Sequence, residues 1–243
     1  MWQIFRKDFF QFFSSATGYV VMIVFALVAG LFFWYLEGNY NLMFSGFADL
    51  QPLFDLIPWL LIFVLPAISM RSFAEEYRTG TIELLLTKPI NQGALVTGKW
   101  LAVVMTATIM LWPLGLYVWS LSHLMIPTDR LDYGVLLASL LGLWLLVAFF
   151  AMVGVWVSSL TQSQMAAYLG GVFLLFILYY GIYGLASFQW VGSGDYVLRQ
   201  WSVMQHYRHF TGGLIVAGSV AFFLLGIWIF GLLTRWQLKR KFR

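Results

Sequence analysis

Six stretches of the chain are almost wholly apolar over lengths near those a bilayer demands: Tyr19–Leu36, Leu53–Met70, Trp100–Leu121, Tyr133–Val157, Met165–Phe188 and Gly213–Leu233. A hydrocarbon core of about 30 Å takes about 20 such residues as a helix. Lipid offers the backbone no hydrogen bonds, so a spanning segment must satisfy its own. Runs of this length therefore predict an all-α polytopic membrane protein. The second stretch is the least regular, with Asp55 at its edge and Pro58 and Pro66 inside it. Prolines are tolerated in spans where neighbouring groups satisfy the carbonyls they free, so it counts as the sixth. With 61% hydrophobic and 10% charged residues, the chain also has too little polar surface to coat a soluble globule of this size. One membrane domain is expected over residues 1–243.

Ahead of the first span, Trp2, Phe5, Phe9 and Phe12 recur at helical spacing while Gln3, Arg6, Lys7 and Gln11 face elsewhere. That pattern predicts an interfacial helix over residues 2–13. No small-residue cleavage site follows it, which argues against a signal peptide.

Basic residues set the orientation. Alternating sides collect Arg6, Lys7, Arg71, Arg78, Lys88, Lys99, Arg235, Lys239, Arg240, Lys241 and Arg243 on one face, leaving only Arg130, Arg199 and Arg208 on the other. The distribution predicts both termini and the loop 71–99 in the cytoplasm. The opposite side takes Glu37, Asp49, Asp55, Asp129, Asp132 and Asp195. The net charge of +4 then reflects loops that face anionic lipid. No basic patch combines with stacking aromatics, so nucleic acid is not an expected partner.

Several chemistries are excluded by what the spans lack. No ionisable side chain lies mid-span, as ion-coupled transporters and proton pumps require. There is neither a G-x-S-x-G nor a buried His to activate a serine. Zero cysteines exclude a disulfide scaffold and a thiolate metal site. His206 and His209 stand three apart, with no carboxylate or third His at helical spacing, so a hydrogen-bonding role is expected rather than a metal. Residues 93–99, GALVTGK, mimic the spacing of a phosphate loop, but Trp100 stands where a Mg²⁺-binding hydroxyl is needed and a span follows. The simpler account is an approach to the third span, with Lys99 anchoring at the lipid surface. The chain is not expected to be an enzyme.

Charge is densest in RSFAEEYRTGTIELLLTKPI, residues 71–90. Phe73 and Tyr77 lie one helical turn apart, with Glu75, Glu76 and Arg78 expected on other faces, so the second span should continue as an amphipathic helix. Gly80 suits a left-handed end to it. Thr81 can cap a second short helix, with Glu83 in its first turn and Leu84, Leu85 and Leu86 as its apolar body. Pro89 limits that helix. A helix, a break and a second helix predict a docking surface for a soluble partner.

The run Glu75-Glu76-Tyr77-Arg78-Thr79-Gly80-Thr81-Ile82-Glu83-Leu84-Leu85 resembles the E-x-x-x-G-T-x-E-x-L-L loop of ABC-2 permeases, the membrane subunits of type 2 ABC exporters. The segment Trp201–Gly213 resembles the L-S-P-x-x-H-F-x-x-F-x-x-G stretch of the gliding-motility-associated branch, through Ser202, His206, Phe210 and Gly213, with Tyr207 at the Phe position. It departs from that pattern at Trp201 and Val203 as well, and Val216 and Ala217 stand where an Asp is usual. The resemblance implies an ABC-2 fold with a cytoplasmic coupling loop over 71–99. It implies a bacterial inner-membrane location and a separate cytoplasmic ATPase that holds the ATP and Mg. It also implies a second membrane subunit, whether a second copy, a related permease or a gliding-type accessory subunit. Export is the implied function. The alternative is a mechanotransmission subunit that relays ATPase motion to an extracytoplasmic partner, but such proteins carry a large external domain and the external connections here are short.

In the fifth span Phe173, Phe176, Tyr180 and Tyr183 form a stripe at helical spacing. Lipid contact, helix packing or a pathway lining would each account for it. Gly170 and Gly171, with Gly181 and Gly184, allow close helix approach and so suit a subunit interface. The family resemblance implies that the first, second and fifth spans flank that interface and the pathway. The substrate is not legible.

Overall fold

The computed structural model describes residues 1–41, 50–81, 91–124, 132–187 and 199–241, and every regular element among them is helical. In chain order they are α1 (Trp2–Phe13), α2 (Ala16–Gly30), α3 (Gln51–Ser69), α4 (Arg71–Thr79), α5 (Gln92–Met110) and α6 (Leu114–Leu124). Then follow α7 (Tyr133–Leu160), α8 (Gln164–Phe176), α9 (Ile182–Ser187), α10 (Val203–Thr211) and α11 (Ala217–Lys241). Wider π-helical turns extend α2 over Leu31–Tyr35 and join α8 to α9 over Ile177–Gly181. Sequence pattern gave no sign of either.

Six helical runs are long and apolar enough to cross a membrane: Gly18–Tyr35, Gln51–Thr79, Gln92–Leu121, Tyr133–Leu160, Gln164–Ala186 and Ala217–Lys241. Local chemistry explains their starts. Ser15 accepts from the Gly18 amide at 3.3 Å, Asn91 from Gly93 at 2.9 Å, and Asp132 from Gly134 and Val135 at 2.9 and 3.2 Å. Each supplies an acceptor to amides that the first turn leaves orphaned. The Asn91 cap starts the third run at Gln92, two turns before the apolar stretch begins at Trp100. The last helix starts at Ala217, after Gly213 turns the chain at φ 79°.

At the centre stands α7, packed against α3, α4, α5, α8, α10 and α11. Small residues let its neighbours come close. A Cβ at Gly142 would strike the Phe210 ring, one at Gly154 the Ser69 hydroxyl, and on α11 one at Gly226 the Phe149 ring. By contrast α2, α8 and α11 turn apolar faces outward, through Leu27, Phe173 and Trp228 among others.

Of the two prolines inside α3, Pro58 and Pro66, the first has an identifiable partner. Pro58 has no N–H to give the carbonyl four residues back, that of Phe54. Tyr207, fully buried on α10, donates its hydroxyl to that oxygen at 2.8 Å. A side chain from the far end of the sequence thus completes the backbone of the second span.

Candidate functional site

A single residue, Met70, separates α3 from α4. The first amides of α4 have no cap from their own segment, since Met70 occupies the N-cap position. Ser158 of α7 supplies one instead: its hydroxyl oxygen accepts from the Phe73 and Ala74 amides at 3.0 and 3.2 Å, and its proton goes to the Met70 carbonyl at 3.0 Å. One hydroxyl on the central helix therefore holds both sides of that junction.

Beneath α4 lies a buried ion cluster built from three elements. Lys99 of α5 is 1% exposed. Its ammonium has three protons to place, and it finds Glu76 Oε1 at 2.9 Å, Asp8 Oδ2 at 3.0 Å and the Ser72 carbonyl at 2.6 Å, with the Phe73 ring 5.0 Å away. Lys7 of α1 adds a second cation to Glu76 Oε1 at 3.0 Å. Two cations meet two carboxylates, so the group is neutral as a whole. Burial raises the Asp8 carboxyl above its ordinary value, against the pull of Lys99. Burial pulls the Lys7 ammonium down, but the hydrogen bond and charge of Glu76 outweigh it and leave Lys7 raised. Each ion is tolerable there only because the others are present.

Two expectations are corrected here. Lys99 is not a lipid-surface anchor, because α1 lies across α5 and covers it. Gly98 permits that crossing, since a Cβ there would press on the Met1 carbonyl and the Ile4 side chain. Glu76 does not face away from Phe73 and Tyr77. It lies three residues after Phe73 and one before Tyr77, shares their inward face, and is 6% exposed. The segment Gly93–Lys99 is helical throughout, with its lysine committed to the cluster, so it offers no loop to cradle a phosphate.

Gly80 and Arg78 fall where the pattern puts them, while the second short helix that Thr81 was expected to cap lies outside the described residues. Gly80 ends α4 in the left-handed region at φ 71°. Arg78 and Thr81 are exposed, and Thr79 and Thr81 exchange a hydrogen bond at 3.0 Å. Lys241, near the end of α11, sits 3.4 Å over the Tyr77 ring. A cavity of about 280 Å³ opens between α1 and α4, lined by Lys7, Asp8, Arg71, Glu75, Glu76 and Thr106 among others. Glu83, Leu84 and Leu85 lie outside the described residues.

The family model for the ABC-2 family transporter protein matches residues 2–231. The chain belongs to that family. No curated protein matches the sequence. As an ABC-2 family member with six apolar helices, it is a multi-pass membrane protein and the permease component of an ABC transporter.

The remaining residues singled out from sequence divide in two. In this ABC-2 permease Phe176 and Tyr180 pack on Trp59 of α3, at 6.3 and 5.2 Å between ring centroids, while Phe173 stays 68% exposed. Tyr183 is held by Arg208, which donates to its hydroxyl at 3.0 Å and lies 5.1 Å over its ring. Gly171 meets Pro66 of α3 closely, whereas the atoms near Gly181 and Gly184 belong to their own helical segment. At the end opposite the ion cluster, Tyr207 and Phe210 of α10 and Ser202 at its N-cap are buried, and Gly213 makes the positive-φ turn against Val135. His206 and His209 both reach Ser219. Sequence reading missed Asp8 and Ser158: single polar residues near apolar runs carry no signal until their partners are placed.

Proposed function

We propose that this permease is the membrane subunit of an exporter in the bacterial cytoplasmic membrane, with both termini and the ion cluster on the cytoplasmic side. On this reading α4 and the residues that follow it dock on a separate ATPase subunit, which holds ATP and Mg, and a second membrane subunit completes the pathway. The observation that carries it is the mounting of α4. Ser158 ties its start to the central helix, and the Lys99 cluster ties its middle to α1 and α5. A push on α4 from a motor would then reach three elements at once through short, charge-assisted contacts.

Basic-residue asymmetry supports the orientation. A reporter fused at Gln92 should read as cytoplasmic and one at Gly194 as external; the reverse at Gly194 refutes the topology. The likeness to gliding-motility permeases rests on Ser202, His206, Phe210 and Gly213, of which Ser202 and Phe210 pack inside the bundle, and it assigns no motility role. The outward apolar faces of α2 and α8 offer a surface for the second membrane subunit, whereas Gly184, suited to an interface by its size, is buried within the chain's own fold.

Coupling is tested with Gly80→Val in the complex with its ATPase. A Cβ at φ 71° strains the backbone by about 1–3 kcal/mol although nothing blocks it in space. Insertion should survive, while co-purification of the ATPase or substrate-stimulated hydrolysis falls. Wild-type values for both would place the coupling surface elsewhere than residues 71–90.

A further inference from the structure

At the end opposite the ion cluster a cavity of about 670 Å³ lies between α10, the start of α11 and the Arg199–Trp201 segment. Its polar wall consists of Arg199, Gln200, Gln205, His206 and His209, with no carboxylate among the described residues that line it. Its apolar wall is Ala221, Phe222 and Leu225 of α11. Leu225 is 58% exposed and Trp228, one turn along the same helix, 62% exposed, so the cavity opens toward the lipid-facing side of α11.

The polar wall can offer donors to an anion. His206 Nδ1 and His209 Nδ1 lie 3.0 and 2.9 Å from Ser219 Oγ, which is buried. That hydroxyl has one proton to give, so at least one imidazole donates to it through Nδ1. The ring that accepts from Ser219 must carry its own proton on Nε2, away from the serine. Where Ser219 donates to one ring, that ring offers an Nε2–H, and protonation adds an N–H to the other; the His206 ring also bonds the Gln200 backbone, which leaves His209 the freer donor. The His206 ring is fixed by stacking on Phe222 at 4.2 Å. Arg199 Nε is buried and bonds none of the described residues. Gly218, at the amino end of the 25-residue α11, lines the same cavity, and no acidic residue occupies that helix's first turn. The positive end of its dipole is therefore uncompensated there.

A metal does not suit this wall, because both Nδ1 atoms are spent on Ser219 and the described residues hold no group of three metal-ligating side chains. An oxyanion does. We propose that this cavity binds the anionic phosphate head group of a membrane amphiphile, with Arg199 and His209 on the phosphate and the tail leaving along Leu225 and Trp228. The ligand could otherwise be free phosphate. The continuous apolar path from Phe222 to Trp228 selects the lipid source.

The test uses the full chain in nanodiscs and a photoactivatable phosphatidylglycerol, compared with the phosphatidylcholine analogue carrying the same tail. Labelled peptides are mapped by mass spectrometry. Labelling over residues 199–228 should favour phosphatidylglycerol by about tenfold, close to the worth of one charge-assisted hydrogen bond. It should fall to the phosphatidylcholine level in Arg199→Gln and His209→Gln, and stay unchanged in Arg6→Gln at the other end. Equal labelling by the two lipids overturns the proposal, and this comparison needs no substitution, so it stands even if a variant misfolds. Loss of phosphatidylglycerol labelling in millimolar inorganic phosphate would also overturn the lipid assignment and leave a site for a soluble anion.

Discussion

The two ends of the bundle solve the same problem with different chemistry. Each must hold a short helix against the spans: α4 at one end and α10 at the other. The α4 end uses four ions and one serine, and the contacts run to three separate elements. The α10 end has no ion pair among the described residues: Tyr207 sits on a proline-freed carbonyl, Phe210 over Gly142, and Arg208 bonds the neutral Tyr183 hydroxyl. Neutral packing fixes a part in one place. An ion cluster also ties its members together, because separating any one strands a charge in a buried site. The difference suits an anchored end and an end whose parts travel as a unit.

That comparison breaks most readily at Lys99. Lys99→Met leaves Asp8 and Glu76 as buried carboxylates without their shared cation, and the loss should be about 3–5 kcal/mol. Thermal unfolding in detergent reads it, and Lys99→Met with Glu76→Gln should recover part of the loss if the cluster acts as one. At the other end Tyr207→Phe keeps the ring and strips the donor from the Phe54 carbonyl. The cost should be about 1–3 kcal/mol. An unchanged melting point would mean that Pro58 needs no partner.

Ser158→Ala comes next. The Phe73 and Ala74 amides lose their shared acceptor, as at a deleted helix cap, for about 1 kcal/mol. Hydrogen exchange should rise at the start of α4 and not in α10. The smallest change is Lys7→Gln. Its side chain is 51% exposed, and solvent screening limits the loss to below about 1 kcal/mol.

Acid should separate the ends in the opposite sense. Burial, and then the charge of His209, hold His206 below its ordinary value of 6.5. Its folded-state pKa is thus depressed, so this stability is fully present above the unfolded value and is lost as pH falls from there through the lower folded-state value. Hydrogen exchange at α10 should increase on acidification across that range. Protection that rises with acid would reverse the sign.

How much of this was legible depends on the kind of interaction. Apolar runs placed six helices because lipid demands a length that sequence displays directly. Gly80 was readable because left-handed backbone has few tenants. Glu76 was misplaced because a carboxylate is ordinarily assigned to solvent, and only the arrival of Lys99 from 23 positions later in the chain makes its inward face tenable. Ser158 was invisible for a related reason: a serine at the end of an apolar helix looks like a boundary residue until the amides of α4 are seen above it. The π-helical turns at Leu31–Tyr35 and Ile177–Gly181 left no mark in the hydrophobic pattern.

The central claim is that α4 moves together with α1 through the Lys99 cluster. The chain has no cysteine, so exposed Gln3 and Arg78 can be replaced pairwise and spin-labelled without background. The distance between them is then measured in the complex with the ATPase, with and without bound nucleotide. It should stay constant in the otherwise unaltered chain and shift with nucleotide once Lys99→Met is added. A nucleotide-dependent shift before that substitution, or a constant distance after it, contradicts the account.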